Sequence, residues 1–205
     1  IVDDEAVSAA ARQEIIRRYY KAVCDQKQGR VDDETAGRIE LIMKQIALSP
    51  KERLVVEAAR EKAEQDNCPA VAIELADGRI ITGKESKLMT AGASAVLNCI
   101  KVLAGLPDEL HLISPNVLEP IINMKGNIFK LSHTVLSMEE VMIALAVSGS
   151  TNDIVNFALS KLGELKNCEA HSSHLVTQSD DEVFRRLGLN LTCEPCYPTK
   201  ELFYV

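Results

Sequence analysis

The chain has 205 residues, 46% of them hydrophobic and 26% charged, which is enough for one sizeable domain or two small ones with a packed core. Its net charge of −7 argues against general electrostatic binding to nucleic acid, and no apolar run reaches the roughly 18 residues that a membrane span requires. Six cysteines are too few for a disulfide framework and no signal-peptide pattern is seen, so a reduced, cytoplasmic location is expected.

Residues 1–66 are predicted to form a helical segment. The sequence begins at Ile1 without a methionine, which favours a chain that is part of a longer protein. A wide apolar stripe at helical spacing follows, formed by Ile15, Ile16, Tyr19, Tyr20 and Val23. Because one small domain covers such a stripe with difficulty, it predicts contact with a second subunit, as in a homo-oligomer, or with a missing N-terminal half of the same protein.

Two further helices are predicted in this segment. Asp32 and Asp33 are cap residues for a helix whose apolar positions are Ile39, Ile42, Met43 and Ile46. The run from Ser49 to Glu52 is a capping box with proline at the first helical position, and it opens a helix that continues to about Gln65.

An α/β domain is predicted over residues 67–205. Strands at 70–75 and 79–82 flank Asp77-Gly78, a strong hairpin signal. A helix at 91–104, a strand at 109–113 and a helix from Pro115 follow.

The rest of the domain continues this alternation. A capping box at 137–140 opens one helix, and Ser150 or Thr151 is the expected N-cap of the next. A strand at about 168–176 is followed by a helix with a capping box at Ser179 and by a strand at 189–193. Strands that alternate with helices predict a three-layer domain with a mixed sheet.

Several stretches carry a family resemblance that extends over nearly the whole chain in order. They are Gln13–Tyr19, Thr82–Lys84, Gly92–Ala95, His111–Pro115, Cys168–His171 and Leu187–Pro195. In these stretches the chain resembles the bacterial domain-of-unknown-function family 1846. Long members of that family carry an N-terminal half with a glycine-rich, phosphate-loop-like segment. The resemblance therefore implies that this chain is the C-terminal portion of a longer protein, and it implies no established reaction.

The order of the predicted elements has a second resemblance. A hairpin, then a helix, a strand and a helix beginning Ser-Pro, is similar to the core of cytidine deaminases, whose two helices start with zinc ligands and a catalytic glutamate. The matching positions here are Ala91–Ser94 and Pro115–Leu118, which contain no cysteine, histidine or glutamate. A deaminase-like fold in this chain is therefore expected to lack a metal beside Ser94 and Asn116.

A C-terminal group of metal-capable side chains is the main chemical signal, and it comprises Cys168, His171, His174, Cys193 and Cys196. Thiolates and imidazoles are common zinc ligands. Zinc is accordingly the cofactor hypothesis, with Cys168, His171 and Cys193 as ligands. Two alternatives stay open: the cysteines are buried small apolar residues, or Cys168 and His171 form a thiolate–imidazolium pair. Parallel pairing of the two strands would hold Cys168 and Cys193 far apart.

A second candidate site lies where the hairpin leads into a helix. Small residues at a helix start expose backbone N–H groups to an anion, and the predicted ligand-binding residues are Lys84, Ser86, Gly92 and Ser94. The alternative is that the glycines only permit close packing of the helix on the sheet.

Two functions follow from these patterns. The first is a cytoplasmic ligand-binding and assembly module, the C-terminal part of a larger nucleotide-handling protein, without complete catalytic machinery of its own. The second is a zinc-dependent hydrolase or deaminase-like enzyme that uses Cys168, His171 and Cys193. Neither pattern names a substrate or a reaction.

Overall fold

A computed structural model of the protein describes residues 4–198, so residues 199–205 of the predicted α/β domain lie outside the described part. Its helices are α1 (Asp4–Lys27), α2 (Asp33–Gln45), α3 (Leu54–Asp66), α4 (Ala91–Leu103), α5 (Pro115–Asn123), α6 (Met138–Gly149), α7 (Asp153–Ser160) and α8 (Gln178–Leu187). Its strands are β1 (Ala70–Glu74), β2 (Ile80–Lys84), β3 (Glu169–Ser172) and β4 (Asn190–Cys193). Among the described residues, no helix is both long and apolar enough to cross a membrane.

The four strands form one mixed sheet in the order β2-β1-β3-β4. Strand β1 is antiparallel to both of its neighbours, and β3 and β4 are parallel. The predicted hairpin is confirmed, with Ala72 opposite Thr82. Because β1 runs against the other three strands, the carboxyl ends of β2, β3 and β4 all lie at the same edge of the sheet.

Helices cover both faces of this sheet, which confirms the predicted layered α/β class. Val55 and Ala59 of α3 pack with Ala72 on one face. Val71 and Ile73 point to the opposite face, as alternation along a strand requires, and join the main core with α4, α6 and α8.

Helix α4 lies unusually close to the sheet at Gly83. A Cβ placed on Gly83 would stand 2.1 Å from the backbone nitrogen of Ala95. A residue with a side chain cannot be accommodated there, so Gly83 sets the distance between β2 and α4.

The apolar stripe of α1 is covered largely within the chain. Ile16 and Tyr20 are buried in a cluster with Met43, Leu48 and Val56, whereas Tyr19 is half-buried at its margin. The homo-oligomer stays a prediction, and the stripe gives it less support than the sequence suggested.

The strand predicted at 109–113 is not formed. Leu112 and Ile113 are buried, but the segment is a loop that lies outside the four-stranded sheet. Pro107 and Pro115 flank this segment and cannot donate to a strand ladder. The apolar run therefore reflects burial beneath a loop.

Two of the predicted helix caps are also misplaced. Asn152 caps α7 by accepting from the amides of Ile154 and Val155, in place of Ser150 or Thr151. Thr177 caps α8 in place of Ser179. The capping boxes at Ser49 and Ser137 are confirmed, although the first opens a short 3₁₀ turn ahead of α3.

Candidate functional site

A cavity lies at the sheet edge where β2, β3 and β4 end. Helix α4 follows β2 and helix α8 follows β3, so both helices begin at this edge. In open α/β sheets, the crevice outside the carboxyl ends of the strands is the usual place for a ligand. The cavity has a volume of about 180 Å³. Its described lining is Gln28, Glu85, Thr90, Ala91, Gly92, His133, His174, Leu175, Val176, Thr177, Asp180, Tyr197 and Pro198.

Two helix starts face this cavity, which we call the α4–α8 cavity. Thr90 caps α4 and Thr177 caps α8, each by accepting a backbone amide hydrogen bond in the first turn. The first N–H groups of a helix have no intrahelical acceptor, and the helix dipole adds a partial positive charge there. The arrangement can therefore bind a ligand group that carries hydrogen-bond acceptors.

His174 lines the same cavity and is 8% exposed. Its Nδ1 lies 3.4 Å from the hydroxyls of Ser172 and Ser173, and within residues 4–198 its Nε2 has no hydrogen-bond partner. Burial lowers the pKa of His174 to about 4, so the ring is neutral at pH 7. Among the described residues, the fully buried side-chain atoms without a hydrogen-bond partner are on Glu57 and Asp66, so the Nε2 of His174 is accessible and a ligand in the cavity can reach it.

Two carboxyl groups complete the polar lining. Asp180 is 2% exposed, and burial raises its pKa, while hydrogen bonds from the Met138 amide and the Thr90 side chain act in the opposite direction. Burial also raises the pKa of Glu85, which His133 lowers and Asp180 raises further. A carboxyl group whose pKa is raised accepts hydrogen bonds from a ligand when it is ionised and can donate one when it is protonated.

The four predicted anion-binding residues are not brought together in this cavity, and only Gly92 lines it. The Lys84 ammonium lies 2.5 Å from an Asp66 carboxylate oxygen, in a surface ion pair. The Ser86 hydroxyl accepts the amides of Leu88 and Met89 within its own loop. Ser94 lies one turn into α4, where its amide bonds to the Thr90 carbonyl.

The three predicted zinc ligands are likewise held apart. Strand pairing places Cys193 opposite Ser172, four residues along from Cys168, which corresponds to about 13 Å of strand. His171 pairs with Thr192, so alternation turns the Cys193 side chain to the other face of the sheet. No group of three or more metal-capable side chains is assembled in the part of the chain that the structure describes.

His171 instead belongs to a polar network beneath α1. Its Nδ1 lies 2.8 Å from the Thr192 hydroxyl and its Nε2 3.1 Å from a Glu194 carboxylate oxygen. Burial lowers the pKa of His171, and Glu194 opposes that effect. Arg60 donates to the same Glu194 oxygen at 2.7 Å, and the Tyr20 ring lies 4.8 Å from the imidazole. With both ring nitrogens engaged, His171 is a structural residue.

Arg53 anchors the neighbouring part of this network and is buried. It pairs with Glu169 and donates to the Thr192 hydroxyl at 3.1 Å. It also donates to the backbone carbonyls of Ala170 and Asn190 at 2.9 and 2.6 Å. One guanidinium thereby holds the start of α3 across both β3 and β4.

A second cavity of about 290 Å³ lies between α1 and β4, but the basic groups on its wall already have acidic partners. Arg17 pairs with Glu169, and both Lys21 and Arg30 pair with Asp25. We therefore regard the α4–α8 cavity as the better candidate.

The polar residues of the α4–α8 cavity were not grouped by the sequence. The sequence placed His174 with the metal-capable cysteines and histidines, and it singled out neither Asp180 nor His133. The available signal was that His174 and Asp180 follow the end of a strand and flank the cap residue Thr177, a position where α/β proteins place binding groups.

The chain matches the models of a known protein family. A model described as domain of unknown function DUF1846, C-terminal, matches residues 51–203, and its N-terminal counterpart matches residues 1–47. The chain belongs to the DUF1846 family. UPF0371 proteins of Clostridium botulinum (strain Eklund 17B / Type B) and Clostridioides difficile (strain 630) are each 45% identical to it over 212 residues. These matches cover 100% of the chain and only 42% of each relative's length, so the DUF1846 relatives are much longer proteins.

Proposed function

We propose that this chain is the ligand-binding part of a longer DUF1846 protein, and that the α4–α8 cavity holds the ligand. The observation that carries the proposal is the meeting of two helix starts with the unpartnered Nε2 of His174 and the buried carboxyl of Asp180. His171 has both ring nitrogens hydrogen-bonded, and Asp180 already accepts from the Met138 amide at 2.7 Å. A ligand can therefore engage the Nε2 of His174 without displacing a hydrogen-bond partner among the described residues.

The chemistry of the lining narrows the ligand. The helix starts favour an acceptor such as a carbonyl, and the carboxyls of Glu85 and Asp180 favour an adjacent N–H donor. Nucleobase edges present such donor and acceptor pairs side by side. A cavity of about 180 Å³ is smaller than the clefts that enclose whole drug-sized molecules, and it suits one base-sized group. The proposed ligand is therefore a nucleobase or nucleoside, consistent with a nucleotide-handling protein in the cytoplasm.

No zinc-dependent reaction is proposed, because the geometry at Cys168, His171 and Cys193 supplies no shared coordination site. The deaminase-like fold stays a prediction. The hairpin of that element order is formed, whereas its strand at 109–113 is not.

The test is a binding screen on the purified chain. Nucleobases, nucleosides, nucleotides and inorganic phosphate are compared by thermal shift, and the hits are measured by isothermal titration calorimetry. The expected result is a base or nucleoside that raises the melting temperature, with binding weakened at least tenfold in H174Q and D180N. The matched control is H111Q, which changes an exposed histidine and is expected to bind normally.

Two results would contradict the proposal. One is a bound ligand whose affinity is unchanged in both H174Q and D180N while those variants remain folded. The other is binding of inorganic phosphate alone, with the same affinity as any nucleotide, since that would indicate a general anion site.

A further inference from the structure

The cavity between α1 and β4 adjoins the α4–α8 cavity, and we call it the α1–β4 cavity. The walls of both cavities include Gln28, Leu175 and Val176. Gln28 directly follows α1 and is exposed, so packing does not fix its side chain between them. With volumes of about 180 and 290 Å³, the two cavities together reach the size range of roughly 300–1,000 Å³ that is usual for small-molecule sites.

The first turn of α8 lies between the two cavities. Thr177 and Asp180 line the α4–α8 cavity, whereas Gln178 and Asp181 line the α1–β4 cavity. Residues three apart lie on the same side of a helix, so each pair presents its polar groups to one cavity. A single ligand can therefore contact this turn on two adjacent sides, with its two parts in different polar surroundings.

The polar groups of the α1–β4 cavity suit hydroxyl groups better than a phosphate. Its basic side chains already pair with carboxylates, as described above. Asp181 is exposed and, within residues 4–198, its carboxylate has no ion-pair partner. Such a carboxylate repels a phosphate but accepts hydrogen bonds from hydroxyls, and acidic side chains bind ribose hydroxyls in dinucleotide sites. The amides of Gln28 and Gln178 add further donors and acceptors.

We propose that the ligand is a ribonucleoside that spans both cavities, with its base in the α4–α8 cavity and its ribose in the α1–β4 cavity. The ribose hydroxyls donate to the Asp181 carboxylate. This proposal rests on the base site proposed above and extends it from the base to the sugar. Asp181 is then the residue that distinguishes a ribonucleoside from its free base.

The experiment measures affinities by isothermal titration calorimetry on the purified 205-residue chain. The probes are adenosine, guanosine, cytidine and uridine. Each is compared with its base methylated at the sugar-bearing nitrogen, with its dideoxyribose analogue and with its monophosphate. For the base that binds, the ribonucleoside is expected to bind at least tenfold more tightly than the methylated base or the dideoxy analogue. The monophosphate is expected to bind no more tightly than the ribonucleoside.

The variant D181A is expected to abolish this advantage of the ribonucleoside and to leave the affinity for the methylated base unchanged. D181N, which keeps the size of the side chain, is a second variant with the same expected direction. The control is D153A, because Asp153 is likewise an exposed acidic residue in the first turn of a helix, α7. D153A is expected to bind every probe as the original chain does.

The outcomes separate the sugar proposal from the base site on which it rests. A methylated base that binds as tightly as its ribonucleoside would overturn the sugar proposal and leave the base site standing. The same holds if folded D181A and D181N both keep the ribonucleoside's advantage. A monophosphate that binds at least tenfold more tightly than the ribonucleoside would show that the α1–β4 cavity takes a phosphate. If no base and no ribonucleoside binds, both proposals are wrong.

Discussion

His171 and His174 are three residues apart and buried, yet their surroundings differ. His171 has an acceptor or donor at each ring nitrogen, through Thr192 and Glu194. His174 has two long contacts at Nδ1, and within the described residues its Nε2 faces the α4–α8 cavity without a hydrogen-bond partner. The same residue type therefore serves packing in one case and is available to a ligand in the other.

The substitution H174Q is expected to reduce the acid sensitivity of the protein. Burial lowers the pKa of His174 from 6.5 to about 4, so the unfolded chain binds a proton more readily than the folded one. The stability linked to this residue is complete above pH 6.5 and is lost as the pH falls towards 4. Between pH 7 and pH 5 the loss is about 2 kcal/mol. The free energy of unfolding, measured in urea at pH 7 and at pH 5, gives this loss.

The comparison for this prediction is H111Q, which changes an exposed histidine and should leave the pH dependence as in the original chain. His171 also has a lowered pKa, so some acid sensitivity is expected to remain in H174Q. An unchanged difference between pH 7 and pH 5 in folded H174Q would show that His174 is not neutral and buried.

The substitution R53M is expected to destabilise the protein by about 3–5 kcal/mol, the range for breaking a buried ion pair from one side. It would leave Glu169 half-buried with only its partners Arg17 and Asn190, and it would remove donors from Thr192 and two strand carbonyls. Urea denaturation measures the loss. R18M, which removes an exposed pair with Glu14, is expected to cost less than about 0.5 kcal/mol. Similar costs for the two variants would rule out a special role for Arg53.

At the scale of elements, local chemistry predicted most of the helices and the hairpin. Apolar spacing indicated α1, and the Ser137 capping box located the start of α6. The prediction of a strand at 109–113 was wrong. A run of apolar residues indicates burial, but it does not show whether a neighbouring strand is placed to form hydrogen bonds with it. The N-caps of α7 and α8 were displaced because several adjacent residues there can all cap a helix.

The close approach of α4 to β2 leads to a prediction about glycine. G83A is expected to destabilise the protein by about 3 kcal/mol or more, because its Cβ would collide with the α4 backbone at Ala95. G37A in α2 is the control: nothing lies within 4 Å of its added Cβ. Alanine in a helix interior should stabilise by about 0.5–1 kcal/mol. Thermal unfolding measures the stability of both variants. An unchanged stability of G83A would contradict the close contact between β2 and α4.

At the scale of the whole molecule, polar contacts connect the N-terminal helices to the sheet. Tyr20 and Arg60 meet Glu194, and Arg17 and Arg53 meet Glu169. These carboxylates lie beside β4 and at the start of β3, so the division predicted at residue 66 is crossed by several buried or half-buried interactions. That division stays a prediction about domains, and it can be tested by the cooperativity of unfolding.

Native-state hydrogen exchange is expected to show one cooperative unit. The amides around Ile16 and Tyr20 in α1 should open with the same free energy as those of β1, because the Tyr20 ring packs on His171 of β3 and Arg17 pairs with Glu169. The exposed first turn of α1 should exchange faster and is an internal reference. If the α1 core opened several kcal/mol more easily than β1, residues 1–66 would be a separate folding unit.

The sequence by itself determined the α/β class, the positions of most helices, the hairpin and the family, because capping, turn chemistry and apolar spacing act over a few residues. Only the tertiary structure decided which side chains meet. Cys168, His171 and Cys193 lie in one C-terminal stretch of the sequence. The parallel pairing of β3 and β4 separates Cys168 from Cys193, and His171 and Cys193 project from opposite faces of the sheet. Glu85, His174 and Asp180 are brought to one cavity because β2 and β3 end at the same edge. Strand order and direction depend on contacts between distant segments, and no local pattern encodes them.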